Sequence, residues 1–313
     1  MQLALTIFLF ALGVLFIIKG GDWFVDSAAW MAEVTGIPKF IIGATIVSLA
    51  TTLPEMIVSV MAALEGKVDM AVGNAVGSVT ANTGLILAVS ILAIPAMVNR
   101  RHFDRKALIL IAVTAILWLL SWLGLVNIWT GIVLFVLFFL YLADNVSSAR
   151  EEGGQEKRAA VDKKEVPKKL LFFVLGTVGI VLGARLLVDN GSELARIMGV
   201  PENIIGLTFV AIGTSLPELV TTITAIVKKQ ASMSVGNIVG ANVIDIALIL
   251  PICAAVTGGN LPVNPQTFLL DLPICLLLTC IAMVPVLFTG KFRRWQGVAL
   301  LCVYIGYLAI MVI

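Results

Sequence analysis

Gly43-Ala44-Thr45-Ile46-Val47-Ser48-Leu49-Ala50-Thr51-Thr52-Leu53-Pro54-Glu55 is an apolar run broken by hydroxyls, a proline and one acid. It recurs as Gly206-Leu207-Thr208-Phe209-Val210-Ala211-Ile212-Gly213-Thr214-Ser215-Leu216-Pro217-Glu218, 163 residues later. The same offset carries Gly36 and Pro38 onto Gly199 and Pro201, and Gly73-Asn74 and Gly77 onto Gly236-Asn237 and Gly240. Laid on 199–240 without a gap, residues 36–77 give 18 identities in 42 positions. The chain is two copies of one unit, and a repeat of this kind governs every later reading.

The composition fixes the solvent. Of 313 residues, 60% are hydrophobic and 13% charged, and the mean hydropathy is +1.07. A soluble domain carries about 25% charged residues, so this is a polytopic membrane protein. Successive apolar runs are long enough to cross about 30 Å of hydrocarbon as helices. They do not alternate, which excludes a transmembrane barrel. Residues 1–18 lack the basic start of a signal peptide. Their continuation matches the second copy (Gly20 on Gly183, Asp26 on Asp189), so they are expected as a retained first helix.

Ten spans are expected, near 3–28, 38–64, 69–96, 106–122, 127–146, 168–190, 203–227, 232–256, 266–289 and 295–312. The expected fold is therefore an all-α bundle of ten transmembrane helices, built as two five-helix repeats over 1–146 and 168–313. An odd number of spans per copy makes the second copy enter the membrane from the opposite side. Inverted repeats of this kind place a transport site at their interface near mid-membrane. Basic residues test the count, because Lys and Arg accumulate in cytoplasmic loops. Alternate loops hold 17 of the 21 basic residues, and the opposite loops hold Lys67 and Arg196. Both termini are expected outside a cell membrane. The polar segment 147–167 is expected to be a cytoplasmic tether.

The chemistry is confined to a few residues. A carboxylate in mid-membrane costs at least a few kcal/mol and points to function. Glu55 and Glu218 are such groups. Each follows a proline, which frees the carbonyl four residues back: Ala50 for Pro54, Gly213 for Pro217. Freed carbonyls are tolerated where they line a polar cavity. Steps of three and four bring Ser48, Thr51 or Thr52, Glu55 and Ser59 to one face. In the second copy Thr214 or Ser215, Glu218 and Thr222 do the same. The next span adds Asn74, Ser78 and Asn82 in one copy, and Asn237, Ala241 and Asp245 in the other. Carboxylates, hydroxyls, amides and carbonyls describe a site for a hard cation such as calcium. Zinc or copper would call for softer or nitrogen ligands. Sodium ions and protons can use the same oxygens. Asp26 and Asp189 lie toward span ends and read as cap or loop residues.

At these residues the sequence resembles the cation/calcium exchanger superfamily, in its prokaryotic sodium/calcium exchanger branch. The paired Thr/Ser-Leu-Pro-Glu and Gly-Asn-x-x-Gly segments carry the resemblance across nearly the whole chain. It implies one calcium and several sodium ions competing for one cluster of sites. Glu55 and Glu218 would be the central ligands, with side-chain and backbone oxygen from Thr51 and Thr214. Thr52, Ser215 and Ser78 would serve sodium, helped by the backbones of Ser48 and Ala211. Asn82 and Asp245 would flank the centre. The first and sixth spans would slide together to alternate access. Two departures stand out. Leu49-Ala50-Thr51-Thr52 replaces the usual Ile-Gly-Thr-Ser, which the second copy keeps. Ala241 stands where a serine would match Ser78, so one hydroxyl of the family pattern is missing.

The leading expectation is thus a calcium-for-sodium antiporter with no cofactor. A proton-driven exchanger is second, because Glu55, Glu218 and Asp245 can all take protons. An enzyme is not expected. The sole histidine, His102, lies in a basic loop, and Lys19-Gly20-Gly21-Asp22 misses the Gly-x-Gly-Asp setting of an intramembrane aspartyl protease. A channel would need neither saturation nor a counter-ion. No aromatic-interleaved basic patch suggests nucleic acid, and the four cysteines form no CxxC pair. The bilayer and the ions are the expected partners; nothing in the residues sets an oligomeric state.

Overall fold

The computed structural model describes residues 2–95, 97–152, 164–199 and 213–312. The described residues are mostly helical, with one short two-stranded ladder. The helices are α1 (Gln2–Thr35), α2 (Lys39–Leu64), α3 (Val68–Ala93), α4 (Arg100–Leu120), α5 (Ile128–Glu152), α6 (Glu165–Ile197), α7 (Leu216–Val227), α8 (Ala231–Val256), α9 (Thr267–Thr289) and α10 (Arg294–Val312). Among the described residues eight of these are long and apolar enough to cross a membrane. The exceptions are α4, whose first turns carry Arg100, Arg101, Asp104, Arg105 and Lys106, and α7, which is shorter at Leu216–Val227. Residues 203–212 of the expected span 203–227 lie outside the described residues. Helix α5 runs to Glu152, into the expected tether, because Ser147 to Glu152 offers no helix breaker before Gly153-Gly154.

Burial sorts the helices. In their most apolar windows α3 and α8 are 78% and 83% buried, whereas α1 and α6 are 17% and 22% buried. So α2, α3, α7 and α8 form the centre, and α1 and α6 lie outside as a pair. The pair runs antiparallel through glycines. A Cβ on Gly20 would lie 2.9 Å from the Gly176 carbonyl, and one on Gly183 would lie 2.8 Å from that of Gly13. Small residues permit this backbone approach where helices have no hydrophobic drive to associate. A second close seam joins α2 to α8 in parallel. Gly43 lies against Met233 and Asn237, Gly236 against Phe40 and Ala44, and Gly240 against Ala44 and Ser48.

Several features repeat at the sequence offset of 163. Helices α3 and α8 each open into a π-helical turn, Asn82–Leu87 and Asp245–Ile249. Extra-residue turns of this kind cluster at functional sites. The strands Leu125–Asn127 and Asn260–Pro262 pair antiparallel, with Asn127 opposite Asn260. A lone bridge, Met97 to Lys291, lies within one residue of the corresponding pairing in the other copy.

Candidate functional site

The two acidic helices differ locally although their sequences match. In α2 the backbone is helical through Pro54, with Thr51, Thr52 and Glu55 on its buried face. In the second copy the chain turns at Thr214 and Ser215, and α7 begins at Leu216 with Pro217 in its first turn. Proline suits that position because its missing N–H is unpaired there anyway. Glu218 therefore sits in the first turn, where the helix dipole favours negative charge.

These helices and α3 and α8 bring the acids into one place. Glu55, Glu218 and Asp245 are all buried. The Glu55 carboxyl feels the like charges of Glu218 and Asp245, and Asp245 that of Glu218. Thr52 Oγ1 donates to Glu218 Oε1 at 3.3 Å. Thr51 Oγ1 lies 3.3 Å from both the Ser48 carbonyl and Asn237 Oδ1, linking α2 to α8. Ser48, Ser78, Asn82 and Ser215 are buried beside them, and Thr214 is half-buried. Ala241 is fully buried. Ala211 lies outside the described residues.

What distinguishes the cluster is its unmet oxygen. Both carboxyl oxygens of Glu55, both of Asp245, and Glu218 Oε2 are buried without a hydrogen-bond partner. So are the hydroxyls of Ser78, Ser215, Thr221 and Thr222 and the carbonyl oxygen of Asn82. No Lys or Arg among the described residues neutralises Glu55 or Glu218. Buried acceptors without donors are costly, and unpaired buried charges more so. Asn237 Nδ2 is also unpartnered, but no donor meets the carboxyl oxygens of Glu55 and Asp245, and a cation is a species that answers them. Among the described residues no three His, Cys, Asp or Glu side chains converge closely enough to hold a metal alone. Hydroxyls and carbonyls must complete any coordination, as hard cations allow.

Several residues take roles that the sequence did not disclose. Asn74 Nδ2 donates to the Glu55 carbonyl (3.3 Å) and to Ser59 Oγ (2.9 Å), so it braces α2 against α3. Its counterpart Asn237 instead meets Thr51 of the other copy. Thr221 escaped notice because its counterpart is Val58. Asn242 Nδ2 donates to Thr83 Oγ1 at 2.8 Å, tying α3 to α8.

A cavity of about 350 Å³ reaches this region along α2, α3, α10 and the turn before α7. Gly73, Asn74, Ser78, Thr214, Tyr304 and Tyr307 are on its wall. The corresponding path in the other copy is filled. Tyr141, the counterpart of Tyr304, is buried and donates to the Ala44 carbonyl at 2.6 Å.

The model of the sodium/calcium exchanger protein family matches residues 5–145 and 168–313. The chain belongs to this family. The inner membrane protein YrbG of Escherichia coli K12 is 34% identical over 92% of this chain and 94% of its own length. The sodium/calcium exchanger MaX1 of Methanosarcina acetivorans is 26% identical, over 96% of each chain. A solved structure of the sodium-calcium exchanger NCX_Mj, soaked with Na+ and Sr2+, superposes with a TM-score of 0.85 at 27% identity, covering 98% of this chain and 99% of that one. As a member of this family the chain is a multi-pass membrane protein.

Proposed function

We propose that the protein is a secondary antiporter that exchanges calcium for sodium across a cell membrane by alternating access at one mid-membrane site. The observation that carries this reading is the cluster of buried oxygens lacking a hydrogen-bond partner around Glu55, Glu218 and Asp245. Family membership and the likeness to NCX_Mj support the choice of ions. Glu55 and Glu218 would be the central ligands and Thr51 and Thr214 would add oxygen. Thr52, Ser215 and Ser78 would serve sodium with the Ser48 and Ala211 carbonyls, and Asn82 and Asp245 would flank. Three fixed negative charges must be neutralised before such a site can move through a low-dielectric interior, so calcium and sodium exclude one another from shared oxygens. This is transport, not catalysis.

The proposed architecture is ten spans in two inverted repeats, 1–146 and 168–313, joined by a cytoplasmic tether at 147–167, with both termini outside. Antiparallel packing of α1 on α6, parallel packing of α2 on α8 and the matched π-turns support it. The 17-to-2 division of loop basic residues supports the orientation. In that frame the cavity at Asn74 and Thr214 opens outward, and the Thr51–Asn237 contact closes the cytoplasmic side.

Ala241 favours one second reading, a proton-driven exchanger, because the family hydroxyl is absent there. Radioactive calcium uptake into vesicles, under an imposed sodium gradient and then a proton gradient, separates the two. Uptake that follows sodium supports the exchange proposed. Uptake indifferent to sodium overturns it.

A further inference from the structure

Lys228 follows α7 on the proposed cytoplasmic side and reaches across to α1. Its Nζ lies 2.8 Å from Asp26 Oδ1 and 3.2 Å from Asp22 Oδ1. Asp26 is thus a mid-helix partner in an ion pair and not a cap. Partial burial pulls the lysine proton affinity down, but the hydrogen bonds and charges of Asp26 and then Asp22 outweigh it, and the pKa is raised. One residue before Asp22, Gly21 lies against Thr224 and Val220 of α7. The α1–α7 contact is therefore close-packed and held by charge.

The offset of 163 carries Lys228 onto Glu65, Asp22 onto Arg185 and Asp26 onto Asp189. The backbone agrees with this register. Glu65 ends α2 at φ −80°, ψ 1°, and Lys228 ends α7 at φ −83°, ψ 9°. Each is followed by a left-handed residue, Gly66 at φ 75° and Lys229 at φ 59°. The pairs Lys228/Glu65 and Asp22/Arg185 thus carry opposite charges, whereas Asp26 and Asp189 carry the same one. At present Glu65 pairs with its neighbour Lys67 at 2.6 Å, and Arg185 with Asp189 at 3.9 Å, all four side chains exposed.

We infer that the protein carries two charge-reversed latches that close in turn: Lys228 with Asp22 and Asp26 in this conformation, and Glu65 with Arg185 in the opposite one. The inference rests on the alternating-access reading. Exchanging the roles of two inverted copies converts the α1-on-α7 contact into an α6-on-α2 contact. Helices α1 and α6 are joined backbone to backbone through Gly13, Gly20, Gly176 and Gly183, so they move as one body. Opening one latch then delivers the other. Lys67 and Asp189 hold the idle charges meanwhile. None of these residues touches the acidic cluster, so the latches set the balance between conformations and not the choice of ion.

The test reads cavity exposure. Met70 is on the cavity wall, and a Met70→Cys chain is labelled by a membrane-impermeant thiol reagent, corrected for Cys253, Cys275, Cys280 and Cys302 in the unsubstituted chain. Lys228→Gln is expected to slow labelling roughly two- to fivefold, the range of a partly exposed ion pair. Asp26→Asn should do the same if Lys228→Gln fails to fold. Adding Arg185→Gln to either should restore the rate. Labelling unchanged by Lys228→Gln and Asp26→Asn, or not restored by Arg185→Gln, overturns the latches. Labelling does not depend on the transported ion. Unchanged labelling with intact calcium-for-sodium exchange therefore sinks the latches alone, and lost sodium dependence with the expected labelling sinks the exchange reading alone.

Discussion

Single residues carry most of the chemistry, and those with a twin were the ones the sequence revealed. Glu55 and Glu218 stood out because each lies beside a proline in an apolar run and each repeats the other. Removing one charge from a buried cation site costs about 3–5 kcal/mol, so Glu55→Gln and Glu218→Gln should each weaken calcium binding at least about a hundredfold. Isothermal titration in detergent reads this, and near-normal affinity in either variant would refute the central role. Ala241→Ser restores a hydroxyl on α8 and should change the sodium dependence of exchange with calcium affinity nearly kept; an unaltered sodium curve would show the position to be silent. Thr221 has no twin, since Val58 stands at its counterpart, and so the repeat hid it. Lys229 is legible only in the structure, as a non-glycine at φ 59°. Relieving it with Lys229→Gly should stabilise the fold by roughly 1 kcal/mol, seen as a higher Tm.

Among the helices, contact between backbones decides which substitutions matter. A Cβ on Gly43 would intrude on the Met233 carbonyl and lie 3.0 Å from the Asn237 amide. Gly43→Ala should therefore destabilise by about 3 kcal/mol, the upper range of overpacking. Gly131→Ala meets Pro251 only at 3.7 Å and should be neutral or stabilising by up to about 1 kcal/mol, because alanine is the better helix former. Thermal unfolding of both proteins checks the contrast, and equal behaviour would contradict the α2–α8 seam. The sequence does not say which residues these glycines meet. Gly43 and Gly236 lie on different copies, and a repeat does not say which copy each helix faces. The π-turns at Asn82 and Asp245 were also beyond it, since an inserted residue in a helix leaves no periodic signature in an apolar run.

For the molecule as a whole, unmet oxygens at the centre tie stability to occupancy. A ligand at a thousand times its Kd adds about 4 kcal/mol to the bound state. Calcium should raise the Tm of the purified protein, a chelator should reverse the rise, and Glu218→Gln should abolish it. A Tm blind to calcium would mean that the cluster binds something else or nothing.

The sequence alone determined the membrane solvent, the doubling of the unit and the identity of the buried acids. Each is a property of residue types and their spacing. Tertiary structure decided the asymmetry. Thr51 meets Asn237 while their counterparts Thr214 and Asn74 stand on a cavity wall, and Tyr141 is packed away while Tyr304 borders that cavity. Two copies so alike specify both arrangements almost equally, and only the packing of whole helices, too small an energy difference to read from side-chain types, selects the one seen.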